Sequence, residues 1–178
     1  PSLQDHRSDL MRVSETLNHI RPDAHLFADP PAVAQLTRRL REQQWRIGVH
    51  VRNDELIGVT AAGEQSLGFA VDVGTTKIAG YLLDLATGRE LAADGLLNPQ
   101  TRYGDDIMSR LQYASQNPDS NELALLLCDA LNGLLQTLVE KAQSKHEQVV
   151  DACFVANTAI THLLLGFPVR QLAHGPDV

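Results

Sequence analysis

Asp72-Val73-Gly74-Thr75-Thr76-Lys77 is the stretch of this sequence in which residue types and spacing suit chemistry on a phosphate. Glycine lets the backbone curl closely, which frees the amides of Gly74, Thr75, Thr76 and Lys77 to point at one spot, a nest that holds anions. The hydroxyls of Thr75 and Thr76 add donors and Lys77 adds a positive charge. Asp72, at the end of the preceding strand, suits the water shell of a magnesium ion bridging the phosphates. The motif is not a Walker loop, because G-x-x-x-x-G-K is absent and a strand follows the glycine where that motif has a helix. The plainer alternative is a hairpin in which Gly74 serves the turn alone and Asp72 is merely solvated.

A loop of this kind needs a strand on either side. Residues 67–85 read as strand, tight glycine turn, strand; Thr87-Gly88 turns the chain again, and Arg89 to Leu97 forms a third strand before Asn98-Pro99. Three strands joined by short turns make an antiparallel meander, unlike the strand-helix alternation that opens a Rossmann fold. A helix is expected over Tyr103 to Ser115. A longer one runs from about Asn121 to Gln143, capped by Asp119, with Leu123, Leu127, Leu131, Leu134, Leu138 and Ala142 on one face. Val149 to Val155 reads as a buried strand leading through Asn157-Thr158 into the apolar helix Ile160 to Leu165.

Residues 1–66 form a separate α+β unit. Ser8 caps a helix with Leu10, Val13, Leu17 and Ile20 at helical spacing, ended by Arg21-Pro22-Asp23. Asp29-Pro30-Pro31 starts a second with Val33, Leu36 and Leu40, whose outer face carries the solvated Arg38, Arg39 and Arg41. Trp45, Ile47, Val49 and Val51 then alternate against polar neighbours, Asn53-Asp54 turns, and Ile57, Val59 and Ala61 return. The polar stretch 62–66 places a boundary before residue 67. The fold class is α/β.

The chain has 178 residues, with 15 Lys+Arg against 22 Asp+Glu and a formal net charge of −7, which argues against a partner such as nucleic acid. Cys128 and Cys153 stand far apart, so neither a disulfide framework nor a cysteine-ligated zinc or iron–sulfur site is available, and both read as small core residues of a cytoplasmic protein. No leader opens the sequence and no unbroken apolar run reaches the roughly 18 residues of a membrane span. Pro1 without Met, and Gly175-Pro176-Asp177-Val178 soon after an apolar helix, read as cut ends. His162 lies on that helix without a second ligand, and packing suits it better than metal or cobalt.

The strand order and loop resemble the first phosphate-binding hairpin of the ATPase fold shared by actin, Hsp70 chaperones and sugar kinases, a ribonuclease-H-like lobe. Leu97-Asn98-Pro99-Gln100-Thr101-Arg102-Tyr103-Gly104-Asp105-Asp106-Ile107-Met108-Ser109-Arg110 and Val155-Ala156-Asn157-Thr158-Ala159-Ile160-Thr161-His162-Leu163-Leu164-Leu165-Gly166 resemble segments of the reductive activators of corrinoid proteins. Residues 1–66 then resemble the linker and middle domain, and 67–178 the first part of the actin-like ATPase domain.

That resemblance implies ATP and magnesium as cofactors and a corrinoid protein of a methyltransferase system as partner. Its cobalt is reduced from Co(II) to Co(I) by electrons arriving through a ferredoxin-like [2Fe–2S] domain. That domain and the second Asp-x-Gly-Thr loop of the family have no counterpart in these residues, so this chain alone is expected to bind ATP weakly or not at all. Asp72, Gly74, Thr75, Thr76 and Lys77 carry over to the phosphate loop. Asn98, Arg102, Tyr103, Gly104, Asp105 and Asp106 match a segment that lines either the cleft or the corrinoid-facing surface, unless it simply caps the next helix. Asn157 and Thr158 face the cleft, where Asn157 orients a water or a phosphate, or they cap the helix. Two alternatives remain open: a small-molecule kinase of the same fold using Asp105 or Asp106, and a non-catalytic docking module. Self-association into a homodimer is expected of a lobe with an uncovered sheet.

Overall fold

In the computed structural model, which describes residues 5–22 and 25–173, two units divide between Ser66 and Leu67. Asp23 and the 174–178 end lie outside the described residues.

In the first unit Ser8 Oγ accepts the Met11 amide at 3.1 Å and Asp29 Oδ1 accepts the Ala32 amide at 2.8 Å. Helices α1 (Asp9–Asn18) and α2 (Pro30–Glu42) therefore begin where spare N–H groups are satisfied. Val13, Leu36 and Leu40 bury against Leu56 and Val59 of the hairpin β1 (Ile47–Arg52) and β2 (Glu55–Ala61). Because α1 stops at Asn18, Ile20 lies beyond the stripe assigned to it and is exposed. Trp45 precedes β1 with φ of +67°, its ring within 6.0 and 5.7 Å of the guanidinium carbons of Arg12 and Arg41. Ile57 does not share the face of Val59: His50 pairs with Gly58 and Val51 with Leu56, so Ile57 is the extra residue of a bulge and Leu56 turns inward. Of the arginine face of α2, Arg41 bridges to Asp9 at 2.7 Å, while Arg38 and Arg39 reach Glu42.

The second unit is built on β3 (Leu67–Val73), β4 (Lys77–Asp84), β5 (Glu90–Leu97) and β6 (Val149–Ala156). The order is β5-β4-β3-β6, with the first three an antiparallel meander and β6 parallel to β3. Alternation places Phe69, Val71, Val73, Ile78 and Leu82 on one face, covered by Leu127, Leu131, Leu134 and Leu138 of α4 (Glu122–Lys141). Each such fully buried leucine is worth about 1.5–3 kcal/mol relative to exposure. Gly80 permits the close approach, since a Cβ there would lie 2.7 Å from Leu134 Cδ2. By length and composition α4 is apolar enough to cross a membrane, but its leucine stripe packs on this sheet.

A 3-10 turn (Pro99–Tyr103) precedes α3 (Ile107–Gln116), and α5 (Thr158–Leu165) and α6 (Arg170–Ala173) follow β6. The helix expected from Tyr103 thus begins only at Ile107, after Gly104 breaks the chain with φ of +153°. Asp119 does not cap α4; Asn121 holds that position without a side-chain bond.

Two further expectations fail. The strand β6 is not buried: among the described residues it pairs with β3 alone and forms the sheet edge, leaving Phe154 45% and Val155 63% exposed. Cys128 and Cys153 are not core residues either, the first lying on the outward side of α4 and the second on β6, both exposed.

Candidate functional site

The turn between β3 and β4 is held from behind through its carbonyls. Gly74 O accepts from Asn98 Nδ2 at 2.9 Å, Thr75 O from Arg110 Nη1 at 2.7 Å, and Thr76 O from the Asn98 amide at 2.8 Å. In a planar trans peptide the C=O and the following N–H point in opposite directions. The three ties therefore aim the amides of Thr75, Thr76 and Lys77 away from Asn98 and Arg110. The amides of Thr75 and Thr76 donate to no acceptor among the described residues, while the Val73–Ile78 pairing that closes the ladder turns the Gly74 amide toward the Lys77 carbonyl. A side chain at Gly74 does not fit, because its Cβ would lie 2.5 Å from the Lys77 carbonyl oxygen.

The residues that the sequence nominated lie in the turn and beside it. Thr76 and Lys77 are exposed, and so is Asp72, whose neighbours across the ladders are Ala79 and Val155. Asn157 does both of the things open to it: Oδ1 accepts the Ile160 amide at 2.9 Å and caps α5, while Nδ2 donates to Thr75 Oγ1 at 3.3 Å. The Thr75 oxygen is thereby used as an acceptor, leaving its proton for a ligand. Thr158 is the first residue of α5 and not its cap.

The Asn98–Asp106 segment separates by role. Asn98 is fully buried and meets no surface; besides the loop it holds the Gln100 amide on Oδ1 at 3.0 Å. Gln100, also buried, donates to Leu123 O at 3.0 Å. Tyr103 and Tyr113 both donate to Glu122, their ring centroids 4.6 Å apart, and that carboxylate raises both phenol pKa values. Arg102 and Asp105 are exposed. Asp106 caps α3, accepting the Ser109 amide at 2.8 Å and its hydroxyl at 3.1 Å, and those two bonds lower its pKa. His162 sets Nδ1 against Pro168 O at 2.9 Å and its ring edge-on to Phe167.

Arg110 was not singled out by the sequence, although a signal exists. Ile107, Arg110, Leu111 and Ala114 fall at i, i+3, i+4 and i+7, which puts an arginine in an apolar stripe. Its guanidinium is fully buried and reaches Gly104 O through Nε at 2.9 Å, as well as Thr75 O. Burial lowers its pKa.

Chemically, the turn offers unpaired amides, two hydroxyls and an ammonium to an anion. The described residues contain no group of three or more His, Cys, Asp or Glu able to hold a metal ion. A lone Asp72 fits a magnesium that keeps most of its waters and is otherwise held by phosphates.

The fold is thus a mixed α/β lobe, consistent with part of an actin-like domain. A family model described as the RACo linker region matches residues 1–66, and one described as the RACo middle region matches 67–178; the chain belongs to the RACo family of corrinoid reductive activators. "Middle region" accordingly names the second unit and not the first. Over 135 residues the chain is 27% identical to the "Corrinoid activation enzyme RamQ" of Eubacterium limosum, covering 74% of this chain and 23% of that protein. It is similar to the solved structure of a "Reductive activator for corrinoid,iron-sulfur protein", with a TM-score of 0.77 and 28% identity over 99% of this chain and 29% of that one. The chain therefore spans about a quarter of the length of these relatives.

Proposed function

We propose that this chain is part of an ATP-dependent reductive activator that returns the cobalt of corrinoid proteins in methyltransferase systems from Co(II) to Co(I). Residues 1–66 serve as its linker and 67–178 as one lobe of its nucleotide site, in a cytoplasmic homodimer. The observation that carries this reading is the turn at Gly74, with its carbonyls tied back and the Thr75 and Thr76 amides without an acceptor among the described residues, in a chain matched throughout by RACo family models.

Binding or hydrolysis of ATP supplies the free energy that makes a low-potential reduction favourable. In this lobe the turn amides and the Thr75 and Thr76 hydroxyls hold phosphate oxygens, and Lys77 offsets their charge. Asp72 orients waters on the magnesium, and Asn157 fixes the Thr75 hydroxyl. The electron enters from elsewhere in the protein: a [2Fe–2S] cluster takes four ligands, usually thiolates, and Cys128 and Cys153 do not supply them.

Calorimetric titration of Mg-ATP into the full-length protein tests this. Asp72→Ala and Thr75→Ala should each weaken binding roughly tenfold or more, the worth of one charge-assisted contact. Affinity unchanged in both variants would overturn the assignment.

A further inference from the structure

Arg110 is a cation removed from water with no carboxylate bonded to it among the described residues, Asp105 and Asp106 acting on it only through their charge. Its donors go to main-chain carbonyls only: Nε to Gly104 O at 2.9 Å, Nη1 to Thr75 O at 2.7 Å, and a longer approach of Nη2 to Asp105 O at 3.5 Å. Burying a guanidinium whose hydrogen bonds all end on neutral carbonyls is costly even with the Asp105 and Asp106 charges nearby, and an apolar residue would fill the α3 stripe at less expense. What an apolar residue lacks is a rigid fork that spans two separate segments. One of these is the turn at Gly104, where a Cβ would meet Ser109 Cβ at 2.4 Å, so that only glycine brings the carbonyl this close to α3. The other is the middle peptide of the turn between β3 and β4.

We propose that Arg110 is a positioning residue of the phosphate loop: by holding the Thr75 carbonyl it orients the peptide between Thr75 and Thr76 so that the Thr76 amide faces the anion. The inference rests on reading that turn as a phosphate site. Asn98 secures the peptides on either side, through Gly74 O and Thr76 O, but makes no bond to the middle one. Without Arg110 this peptide is free to rotate and to present a carbonyl oxygen where the phosphate oxygen sits, replacing a donor by a repelling acceptor. The residue acts through the loop and touches no ligand.

The test compares Mg-ATP and adenosine binding by the full-length protein, unsubstituted and as Arg110→Lys, Arg110→Met and Gly74→Ala. Lysine keeps the charge and loses the fork; methionine loses both. Arg110→Lys and Arg110→Met should each weaken Mg-ATP roughly tenfold or more while leaving adenosine affinity unchanged. Gly74→Ala should do the same. If Arg110→Lys binds Mg-ATP as the unsubstituted protein does, charge and not geometry is at work and the proposal fails. It fails equally if Mg-ATP and adenosine weaken together, which is general damage to the lobe. Should Arg110→Met not fold, Arg110→Lys decides alone. An unsubstituted protein that ignores Mg-ATP, or a Gly74→Ala variant that binds it normally, overturns the phosphate reading itself and this proposal with it.

Discussion

Asn98→Ala removes two hydrogen bonds from a residue with no exposed surface. The first, Nδ2 to Gly74 O at 2.9 Å, ends on a half-buried residue, so the freed carbonyl can take water and only the net worth of the bond is lost, about 0.5–1.5 kcal/mol. The second is different. The Gln100 amide, bonded to Asn98 Oδ1 at 3.0 Å, belongs to a fully buried residue, and leaving it unpaired costs its desolvation, about 1–3 kcal/mol. The expected destabilisation is their sum, roughly 2–4 kcal/mol. With a urea slope of about 2 kcal/mol per molar, the middle of the usual range, the unfolding midpoint should fall by roughly 1–2 M.

Urea unfolding of this chain measures the effect, and Asn98→Asp gives it a sign. Aspartate keeps an acceptor for the Gln100 amide but turns a second oxygen toward the Gly74 carbonyl, so its ionised form is disfavoured and its pKa raised. As pH falls through that raised value the carboxyl gains a proton able to bond Gly74 O, and Asn98→Asp should gain on Asn98→Ala. If Asn98→Ala stays within about 0.5 kcal/mol of the unsubstituted chain, the size of an ordinary surface substitution, the loop is not held from behind as argued.

Burial lowers the pKa of His50, whose Nε2 lies 2.9 Å from Thr60 Oγ1. The unfolded chain therefore takes the proton first, so stability of the first unit should be flat above the ordinary histidine value of about 6.5 and fall as pH drops toward the folded value; His50→Gln should remove that slope in urea melts at about pH 7.5 and 5. The open edge and apolar side chains of β6 predict that this chain alone self-associates, and that Phe154→Glu or Val155→Lys reduces it; a clean monomer by light scattering at high concentration would count against this.

The meander was legible because period-two alternation runs through 67–73 and 77–84 on either side of one glycine, and because Ser8 and Asp29 are side chains whose local bonds start helices wherever they stand. The bulge at Ile57 was not legible, since the alternation continues through it and only the partner strand reveals the extra residue. Val149 to Val155 shows the same limit: apolar side chains say that a strand suits a covered position, not which neighbour covers it. Asp106 and Asn157 had two readings each. Local bonding makes Asp106 a cap, whereas Asn157 has two polar ends and serves the cap and the loop together.

Arg110 and Asn98 show why a loop motif reads more easily than what makes it work. Residues that face a ligand come from one short stretch of sequence, because successive amides form the nest. Residues that aim those amides must bond the opposite ends of the same peptide units, on the far side of the turn, and the chain reaches that side only after another strand or helix. Here they lie 24 and 35 positions beyond their partners Gly74 and Thr75. They are also buried, so to a reader of periodicity a polar residue there looks like an interruption of an apolar pattern. An arginine or asparagine in that position, with main-chain carbonyls as its only available acceptors, is therefore better searched for from the loop backwards. Each carbonyl of the turn needs a donor behind it before the amide that follows can be relied on in front.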